Sequence, residues 1–479
     1  MNLLLSTGSR PSYSRFMGPL LPFALCCLAA GQPAQDTGRA SLAPEALRAR
    51  TPPVEAWSTI AFSTSEYFEE TERAGVTRRA KERRRLALVT IGVDIAWYLL
   101  FLLSPLGPRL REACLRAAQR LARHRPFSLG TACRVASLPR RLFGDDWAGA
   151  LLFAWAYFGL GALVTLPLAL WGESMDQAAG LSNYDGRTWA WDATKQAAIQ
   201  LVLFSCLLLG LYGLVRRLPR YWWLAIGLPA GLALVGYGLI EPRLTRIYDK
   251  VTPLESSQDP AHRALLPRLE ALARAEGVSL SSVKVIHASR TTRSLDAQLL
   301  GLGATRELLL WDNLLEEASP REVDVAVAHE LGHEHQRQDL LTYGGSALGL
   351  IVLLWLLSKV LRLAGRRKKM SGPGDVATWP MLGFALFLFF HALQPAIAWR
   401  KRAHERQADR RALVLTADPE AFSRLQMRLA VRNQQELRPP RWVYLLWSTH
   451  PPPAERMATA RWYASWLRQA GYAVPAAPE

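Results

Sequence analysis

The stretch AVAHELGHEHQ, residues 326 to 336, contains two histidines four positions apart, with a glutamate directly after the first. On a helix, residues four apart lie on the same face, so His329 and His333 can direct two imidazole nitrogens at one tetrahedral metal ion. Such a pair suits Zn²⁺, and Glu330 would lie close enough to take a proton from a zinc-activated water. The spacing therefore predicts a metal site carried on one helix.

The residues before the motif favour a helix. Residues 319–322 read SPRE, a capping box with proline at the first helical position, and Val323, Ala326 and Val327 follow at core spacing. The alternative is a solvated helix that carries histidines by chance. With nine histidines in 479 residues, HExxH should arise by chance in roughly one such chain in a hundred, so the motif favours a site. A catalytic zinc site still needs a third protein ligand.

Long apolar runs divide the chain into membrane and soluble parts. Half of all residues are hydrophobic, and six runs approach or exceed the length that spans a bilayer. These runs are 86–106, 148–171, 196–215, 221–240, 342–363 and 377–398. The sequence therefore predicts a polytopic α-helical membrane protein, an integral multi-pass protein in contact with the lipid bilayer.

The runs also set the predicted domain organisation. It comprises a signal peptide or N-terminal anchor at 1–31, a mobile N-terminal arm at 32–85, a four-helix transmembrane region at 86–240, a catalytic segment with the HELGH helix at 241–341, a transmembrane hairpin at 342–398 and a C-terminal catalytic segment at 399–479. Residues 17–31 have the apolar length and small-residue end of a signal peptide, with an uncleaved anchor as the alternative.

The net charge of +18 could suggest nucleic acid as a partner. The arginines cluster beside the apolar runs, however, so a role in membrane topology is the better interpretation, and no nucleic acid is expected. The basic segments 108–147, 216–220 and 364–376 favour a catalytic part outside the cell, whereas the run RRAKERRR at 78–85 favours the reverse. The side of the membrane stays open at this point.

The third ligand is expected in the second soluble segment. Because two spans separate segments 241–341 and 399–479, both emerge on the same side and can share one site. The second segment opens with WRKRAHERQAD at 399–409, where Glu405 and Asp409 lie four apart on a predicted helix. Glu405 can bind zinc while Asp409 accepts the ring N–H of a ligating histidine and fixes its tautomer.

HELGH followed, after a membrane hairpin, by RAHERQAD resembles the zinc-dependent type I CAAX prenyl endopeptidase family, membrane gluzincin metallopeptidases, and in particular its bacterial branch. Other blocks resemble the family in their expected order: GLSNYDGRTWAWDATK at 180–195, YDKVTPLE at 248–255, the segment 288–315 and STHPPPAERM at 448–457. The resemblance covers nearly everything after residue 80. It implies a polytopic α-helical membrane protein with an α+β gluzincin-type zinc metallopeptidase domain split by a transmembrane hairpin, its helices enclosing a water-filled chamber.

The resemblance also implies roles for single residues. His329, His333 and Glu405 would bind one Zn²⁺ per chain, and Glu330 would be the general base. Asp409 would accept a hydrogen bond from the ring N–H of a ligating histidine. No organic cofactor is expected.

Three further residues match family positions after the zinc motif. His450 would stabilise the oxyanion of the reaction, and Arg402 and Arg456 would hold the carboxylates or the substrate in place. The alternatives are a topogenic charge for Arg402 and a loop residue that caps a proline turn for His450.

The chain departs from the family pattern on the strand expected to pair with substrate. Asp296-Ala297 stands where the family usually has Asn-Ala, and Gln298 replaces an aromatic residue. An ionised carboxylate accepts hydrogen bonds but cannot donate them, so one bond to substrate would be lost. In the soluble part we predict a helix over 260–276 and strands over 282–287 and 307–311, with substrate added to a sheet edge.

Together these features predict a zinc metalloendopeptidase that hydrolyses peptide bonds through a zinc-activated water, with a peptide or membrane-protein substrate, in the inner membrane of a bacterial cell. One alternative is a heat-shock-type membrane quality-control metalloprotease, although four spans precede HELGH here and that group usually has two. The alternative from a different class is a catalytically inactive, zinc-stabilised membrane scaffold. Retention of Glu330 argues against it, since a purely structural zinc site does not need that carboxylate.

Overall fold

The structure, a computed structural model, describes residues 50–57, 70–123, 146–233, 245, 249–301, 303–335 and 338–475. The predicted signal peptide or anchor at 1–31 lies outside the described residues, as do parts of the predicted arm. In chain order the helices are α1 (Glu70–Leu103), α2 (Leu106–Arg123), α3 (Trp147–Ala178), α4 (Gly186–Arg217), α5 (Trp222–Ala233), α6 (Pro260–Ala275), α7 (Asp312–Glu317), α8 (Pro320–His335), α9 (Gln338–Ala364), α10 (Trp379–Thr416), α11 (Pro419–Arg432), α12 (Arg441–Leu446) and α13 (Pro453–Gln469).

Five helices in the described part are long and apolar enough to cross a membrane: α1, α3, α4, α9 and α10. They coincide with five of the six predicted runs. The sixth, 221–240, contains the shorter apolar helix α5 and then continues beyond the described residues. The chain is therefore a multi-pass membrane protein, as its hydropathy predicted.

Helix α1 begins at Glu70, well ahead of the apolar run, so residues 70–85 are helical and not part of a mobile arm. The predicted end of the arm at residue 85 was wrong, because it was placed where the apolar run begins and α1 starts before that run. The stretch is rich in Arg, Glu and Ala, which favour helix, and tertiary ion pairs hold it: Arg83 pairs with Asp176 of α3 and Arg84 with Glu436 beyond α11.

The helix bundle has two distinguishable ends. At one end, which we call the distal end, lie the described residues of three connections: 104–123 and 146, 218–221, and 365–378. Polar contacts join these connections: Arg111 pairs with Asp375, and Arg216 pairs with Asp146 at 2.6 Å. The other end carries the soluble elements and is called the catalytic end.

Glycines set the close contact between α5 and α9. A Cβ on Gly227 would lie 3.0 Å from Ile351 Cγ1, and one on Gly231 would lie 3.1 Å from the Ala347 Cβ. Small residues four apart allow membrane helices to approach closely, where van der Waals packing replaces the hydrophobic effect as the source of stability. This contact places α9, which follows the HELGH helix, firmly within the bundle.

The soluble part contains a four-stranded sheet in the order β1-β2-β4-β3, built from β1 (Val251–Pro253), β2 (Ser282–Ile286), β3 (Ala297–Leu300) and β4 (Glu307–Trp311). Strands β2 and β4 are parallel, and the other two pairs are antiparallel. Strand β4 is buried throughout, which agrees with its continuous apolar sequence. Strand β3 forms an edge of the sheet and packs beside α8.

The first described segment, 50–57, packs on the last helix. Trp57 stacks on Tyr463 of α13 with 5.4 Å between ring centroids, and the Tyr463 hydroxyl donates to the Arg50 carbonyl at 2.9 Å. The guanidinium of Arg410 lies over the Trp57 ring. Residues 50–57 therefore lie at the catalytic end, on the same side as α13.

Candidate active site

A reciprocal capping box fixes the start of α8. The Ser319 N–H donates to Glu322 Oε2 at 2.7 Å, and the Glu322 N–H donates to Ser319 Oγ at 3.3 Å. Glu322 is buried and also pairs with Arg428 of α11. The predicted cap is confirmed, and because it sets where α8 begins, it sets which face of the helix carries the histidines.

A close backbone contact that was not predicted from the sequence brings the motif to its partner helix. A Cβ on Gly332 would lie 3.0 Å from both the Cα and the carbonyl oxygen of Ala408 on α10. Only a glycine at this position allows the two backbones to approach so closely. The available sequence indication was a glycine inside a helix, which is about 1 kcal/mol less favourable than alanine and so implies a packing reason.

We expect Gly332→Ala to push α8 and α10 apart, because the obstructing atoms belong to backbone. The free energy of unfolding should fall by roughly 1 to 3 kcal/mol, and metal content should fall with it, since the ligands lie on both helices. Thermal unfolding and metal analysis of the same purified sample measure both effects. Gly210→Ala in α4, where a Cβ meets nothing within 4 Å, is the matched control and should change neither.

Three side chains converge between α8 and α10. One ligand atom from each of His329, His333 and Glu405 lies within 4.8 Å of the others. Glu405 Oε2 lies 3.3 Å from His329 Nε2, and Glu405 Oε1 lies 3.7 Å from His333 Nε2. Glu405 Oε2 is buried and accepts no hydrogen bond with good geometry. Two imidazoles and a carboxylate with a buried, unsatisfied oxygen fit a divalent metal ion such as zinc.

Asp409 lies directly behind this group. Its Oδ1 is 3.0 Å from His329 Nδ1, on the side of the ring away from Glu405. Arg456 of α13 clamps the same carboxylate through both Nε, at 2.8 Å from Oδ2, and Nη2. The arrangement fixes the His329 tautomer, with Nδ1–H donating to Asp409 and Nε2 free to bind a metal.

Burial dominates the electrostatics of the α8 side chains. It raises the pKa of Glu330 to about 7 and lowers the pKa of His333 to about 4. His333 is therefore neutral near pH 7, the form that binds metal. Burial also acts to lower the pKa of His329, but its close contacts with the Asp409 and Glu405 carboxylates outweigh it and raise that pKa to about 10. A cation bound between these groups would compete with that proton.

His450 reaches the site from the segment between α12 and α13. Its Nδ1 lies 2.9 Å from Glu405 Oε2, and about half of its side chain is exposed. Arg402 of α10 holds the preceding segment, because one guanidinium nitrogen donates to the Tyr444 carbonyl at 2.7 Å and to the Ser448 carbonyl at 2.6 Å. Its guanidinium also lies 4.3 Å from the centre of the Tyr444 ring.

The structure thus places the two predicted arginines differently. Arg456 is buried on the carboxylate of Asp409, in keeping with the expectation that it holds a carboxylate. Arg402 is buried on main-chain carbonyls. It is neither an exposed topogenic charge nor directed at the carboxylates of the site.

The edge strand β3 runs beside Glu330. The Trp311 N–H donates to the Asp296 carbonyl at 3.1 Å. In an antiparallel pair the inward and outward groups alternate, so the main-chain groups of Ala297 and Leu299 point to the free edge. The Leu299 N–H donates to the Glu330 carboxylate. The general-base candidate therefore lies against the strand on which extended substrate would be added.

Asp296 occupies part of that edge with its own side chain. Its Oδ1 accepts the Ala297 N–H at 3.0 Å, and its Oδ2 accepts from Gln298 Nε2 at 3.0 Å. The Ala297 N–H would otherwise be a donor at the free edge. The carboxylate that departs from the family pattern thus competes with substrate backbone for this donor.

Comparison with known proteins supports this chemistry. Residues 262–464 match the model of Peptidase family M48. An uncharacterized metalloprotease of Bacillus subtilis (strain 168), YhfN, is 26% identical over 307 residues, which cover 62% of this chain and 70% of that protein. CAAX prenyl protease 1 of Saccharomyces cerevisiae is 24% identical over 190 residues, 39% of this chain and 40% of that protein.

The fold has a solved counterpart. The crystal structure of S. mikatae Ste24p superposes with a TM-score of 0.68 at 18% identity, covering 84% of this chain and 92% of that one. The predicted fold class, a polytopic membrane metallopeptidase, is confirmed. The chain therefore carries a Peptidase family M48 domain and is a membrane metallopeptidase homologous to CAAX prenyl protease 1.

Proposed function

We propose that this protein is a zinc metalloendopeptidase that cleaves extended peptide segments next to the membrane. One observation carries the proposal: three side chains from α8 and α10 that could bind a metal converge near Glu330, which itself lies against the edge strand β3. Segments 241–341 and 399–479 would then form one catalytic unit, separated in sequence by the hairpin 342–398. The kinship with YhfN supports placing it in a bacterial cell membrane.

His329, His333 and Glu405 would hold the metal, and Asp409 with Arg456 would keep His329 in the ligating tautomer. When bound, Zn²⁺ supplies Lewis acidity, which polarises the scissile carbonyl and makes water easier to deprotonate.

Glu330 is the general base in this proposal. With a pKa raised to about 7 by burial, its carboxylate can accept a proton from the attacking water near neutral pH and return it to the leaving amine. A group whose pKa lies far below 7 would accept the proton poorly, although it would return it easily. The reaction needs no covalent intermediate on the protein.

His450 would donate to the carbonyl oxygen as negative charge develops there. It is partly exposed at the site and is oriented by its contact with Glu405. Arg402 would act through it, as a positioning residue that holds the segment ending at Ser448. Substrate backbone would pair with the outward groups of β3, which accept any extended sequence.

The test uses full-length protein in detergent with an extended reporter peptide. Internal cleavage, read by mass spectrometry, should stop on treatment with 1,10-phenanthroline and return on addition of Zn²⁺ to the chelator-free sample. Glu330→Gln, which removes the proposed general base, serves as the matched control. Cleavage that persists after chelation, or zinc-loaded protein that cleaves nothing across a diverse peptide library, would contradict the proposal and favour a scaffold.

Replacing Asp296 tests the edge strand. Asp296→Asn should raise kcat/KM on a generic extended peptide by roughly 5-fold, the equivalent of ~1 kcal/mol for one net hydrogen bond. An amide accepts more weakly from the Ala297 N–H and can itself donate. Steady-state kinetics measures the change. Asp312→Asn is not a suitable control, because the Asp312 carboxylate accepts hydrogen bonds from the Ser289 N–H and hydroxyl. A fall in kcat/KM would instead show that Asp296 binds a basic or amide group of the substrate.

Replacing Arg402 tests the positioning of His450. Arg402→Met removes both hydrogen bonds to the main chain but keeps an unbranched apolar stem, so kcat should fall by roughly 10-fold while KM and zinc content change little. Arg402→Lys should recover part of the loss, because an ammonium can reach one carbonyl. An equal fall in zinc content would show that Arg402 supports the whole fold and has no specific role at His450.

A further inference from the structure

We propose that Asn433 is a positioning residue that holds β3 in place and closes one end of the strand edge to which substrate binds. Asn433 directly follows α11 and lies outside the group of three metal ligands. Its side chain contacts the main chain of Leu295, two residues before β3 begins. The consequence for substrate binding rests on the proposed peptidase function, whereas the contact itself does not.

The carboxamide of Asn433 takes the place of a neighbouring strand. The Leu295 N–H donates to Asn433 Oδ1 at 2.9 Å, and Asn433 Nδ2 donates to the Leu295 carbonyl at 3.0 Å. A residue of a paired antiparallel strand would make the same two hydrogen bonds. Asn433 and Leu295 are both buried. Because a buried main-chain group without a partner is costly, the contact specifies where this part of the chain lies.

This contact lies on the same side of the chain as the free edge of β3. The Asp296 carbonyl accepts from the Trp311 N–H and so points toward β4. Main-chain groups alternate in direction along an extended chain, so those of Leu295 and Ala297 both point away from β4. The outward groups of Leu295 are already bonded to Asn433. The edge that is open to substrate therefore begins at Ala297, and a bound peptide must leave the edge beyond that residue.

The end of α11 directs Asn433 at this edge. The Gln435 N–H donates to the Ala430 carbonyl at 2.9 Å, and the Gln434 N–H donates to the Val431 carbonyl at 3.4 Å. This pair of hydrogen bonds is the Schellman pattern of a helix end. Gln434 has a φ of 53°, a left-handed conformation that is unfavourable for residues other than glycine. It turns the chain sharply after Asn433.

The same turn is anchored to the membrane bundle. Gln434 Oε1 accepts from Arg79 of α1 at 2.8 Å, and Glu436 pairs with Arg84 of the same helix. The glutamine side chain thus has a partner at a position where glycine would be unstrained. Residues 433–436 therefore join α1 to the residues that lead into β3, so the membrane bundle contributes to the position of the substrate edge.

Exchange of main-chain hydrogen for deuterium tests the contact without an assay of activity. In the unmodified full-length protein in detergent, the Leu295 amide should exchange as slowly as the amides of β4, although it lies outside the sheet. Asn433→Ala should speed exchange of that amide by roughly 5-fold, the loss expected for one net hydrogen bond, and should leave exchange in α8 unchanged. Rapid exchange at Leu295 in the unmodified protein would overturn the proposal.

Kinetics with an extended reporter peptide tests the role in substrate binding. Asn433→Ala should raise KM by roughly 5-fold, with kcat and zinc content nearly unchanged, because the metal ligands and Glu330 lie on other elements. Asn433→Asp keeps the side-chain volume but places a carboxylate oxygen against the Leu295 carbonyl, so it should raise KM at least as much. Leu425→Val, a core substitution on α11, lowers stability and should leave KM unchanged.

An unchanged KM in Asn433→Ala, or a parallel fall of kcat and zinc content, would show that Asn433 supports only the fold. A normal KM in Asn433→Asp would show that the side chain only fills space. These results would leave zinc-dependent cleavage by the unmodified protein untouched. If the unmodified protein cleaves no peptide, the role in substrate binding fails together with the proposed function, and slow exchange at Leu295 still establishes the contact.

Discussion

Glu330→Gln is expected to keep about one zinc per chain and to lose peptide turnover by roughly 10²- to 10⁴-fold, the usual contribution of a general base. Glutamine has the same shape, so the contact with the Leu299 N–H on β3 can persist. Its amide oxygen, however, cannot take a proton from water near neutral pH. Glu330 also lies outside the group of three ligands, so metal binding should not depend on it.

The measurement pairs metal analysis by plasma emission with the peptide-cleavage assay on one detergent-purified sample. The control is Glu316→Gln, the same chemical change at an exposed position of α7, which should match the unmodified protein in both assays. Robust cleavage by Glu330→Gln would assign the base elsewhere. Loss of zinc together with turnover would mean that Glu330 supports the metal directly.

The features that were predicted correctly from the sequence depend either on neighbouring residues or on a regular spacing. The four-residue spacing of His329 and His333 specifies one helical face without knowledge of the rest of the fold. The capping box at Ser319 depends on four consecutive residues, and the transmembrane helices follow from apolar length alone. In each case the cause of the structure lies within a single stretch of the chain.

What the sequence could not supply depends on contacts between distant stretches. The packing of Gly332 on Ala408 and the binding of Arg402 to the segment at Ser448 join residues that no periodicity connects. The helical start of α1 was missed for the same reason, because Arg83 and Arg84 find acidic partners on α3 and beyond α11. A charged side chain prefers contact with water, but an oppositely charged side chain from another element can take the place of that water.

Glu405→Ala should lose both zinc and turnover, which separates the ligand from the base. Glu405 is the carboxylate between the two imidazoles, at 3.3 Å from His329 and 3.7 Å from His333. Removing it leaves two of the three protein ligands that a catalytic zinc site requires. Metal content in equilibrium with a defined zinc buffer should fall to background, and cleavage should fall with it.

Asp409→Ala should give an intermediate result, with zinc affinity weaker by roughly 10- to 100-fold, as expected for a group that supports a ligand. Asp409 accepts from His329 Nδ1 at 3.0 Å and is clamped by Arg456, whose Nη2 lies 3.4 Å from that same ring nitrogen. Without the carboxylate, His329 loses the partner that fixes its tautomer, and a buried guanidinium lies beside a ring that must bind a cation. Excess zinc should restore much of the activity of Asp409→Ala and none of that of Glu405→Ala. Zinc retained at the unmodified level in Glu405→Ala would refute the ligand assignment, because no arrangement of two histidines alone explains it.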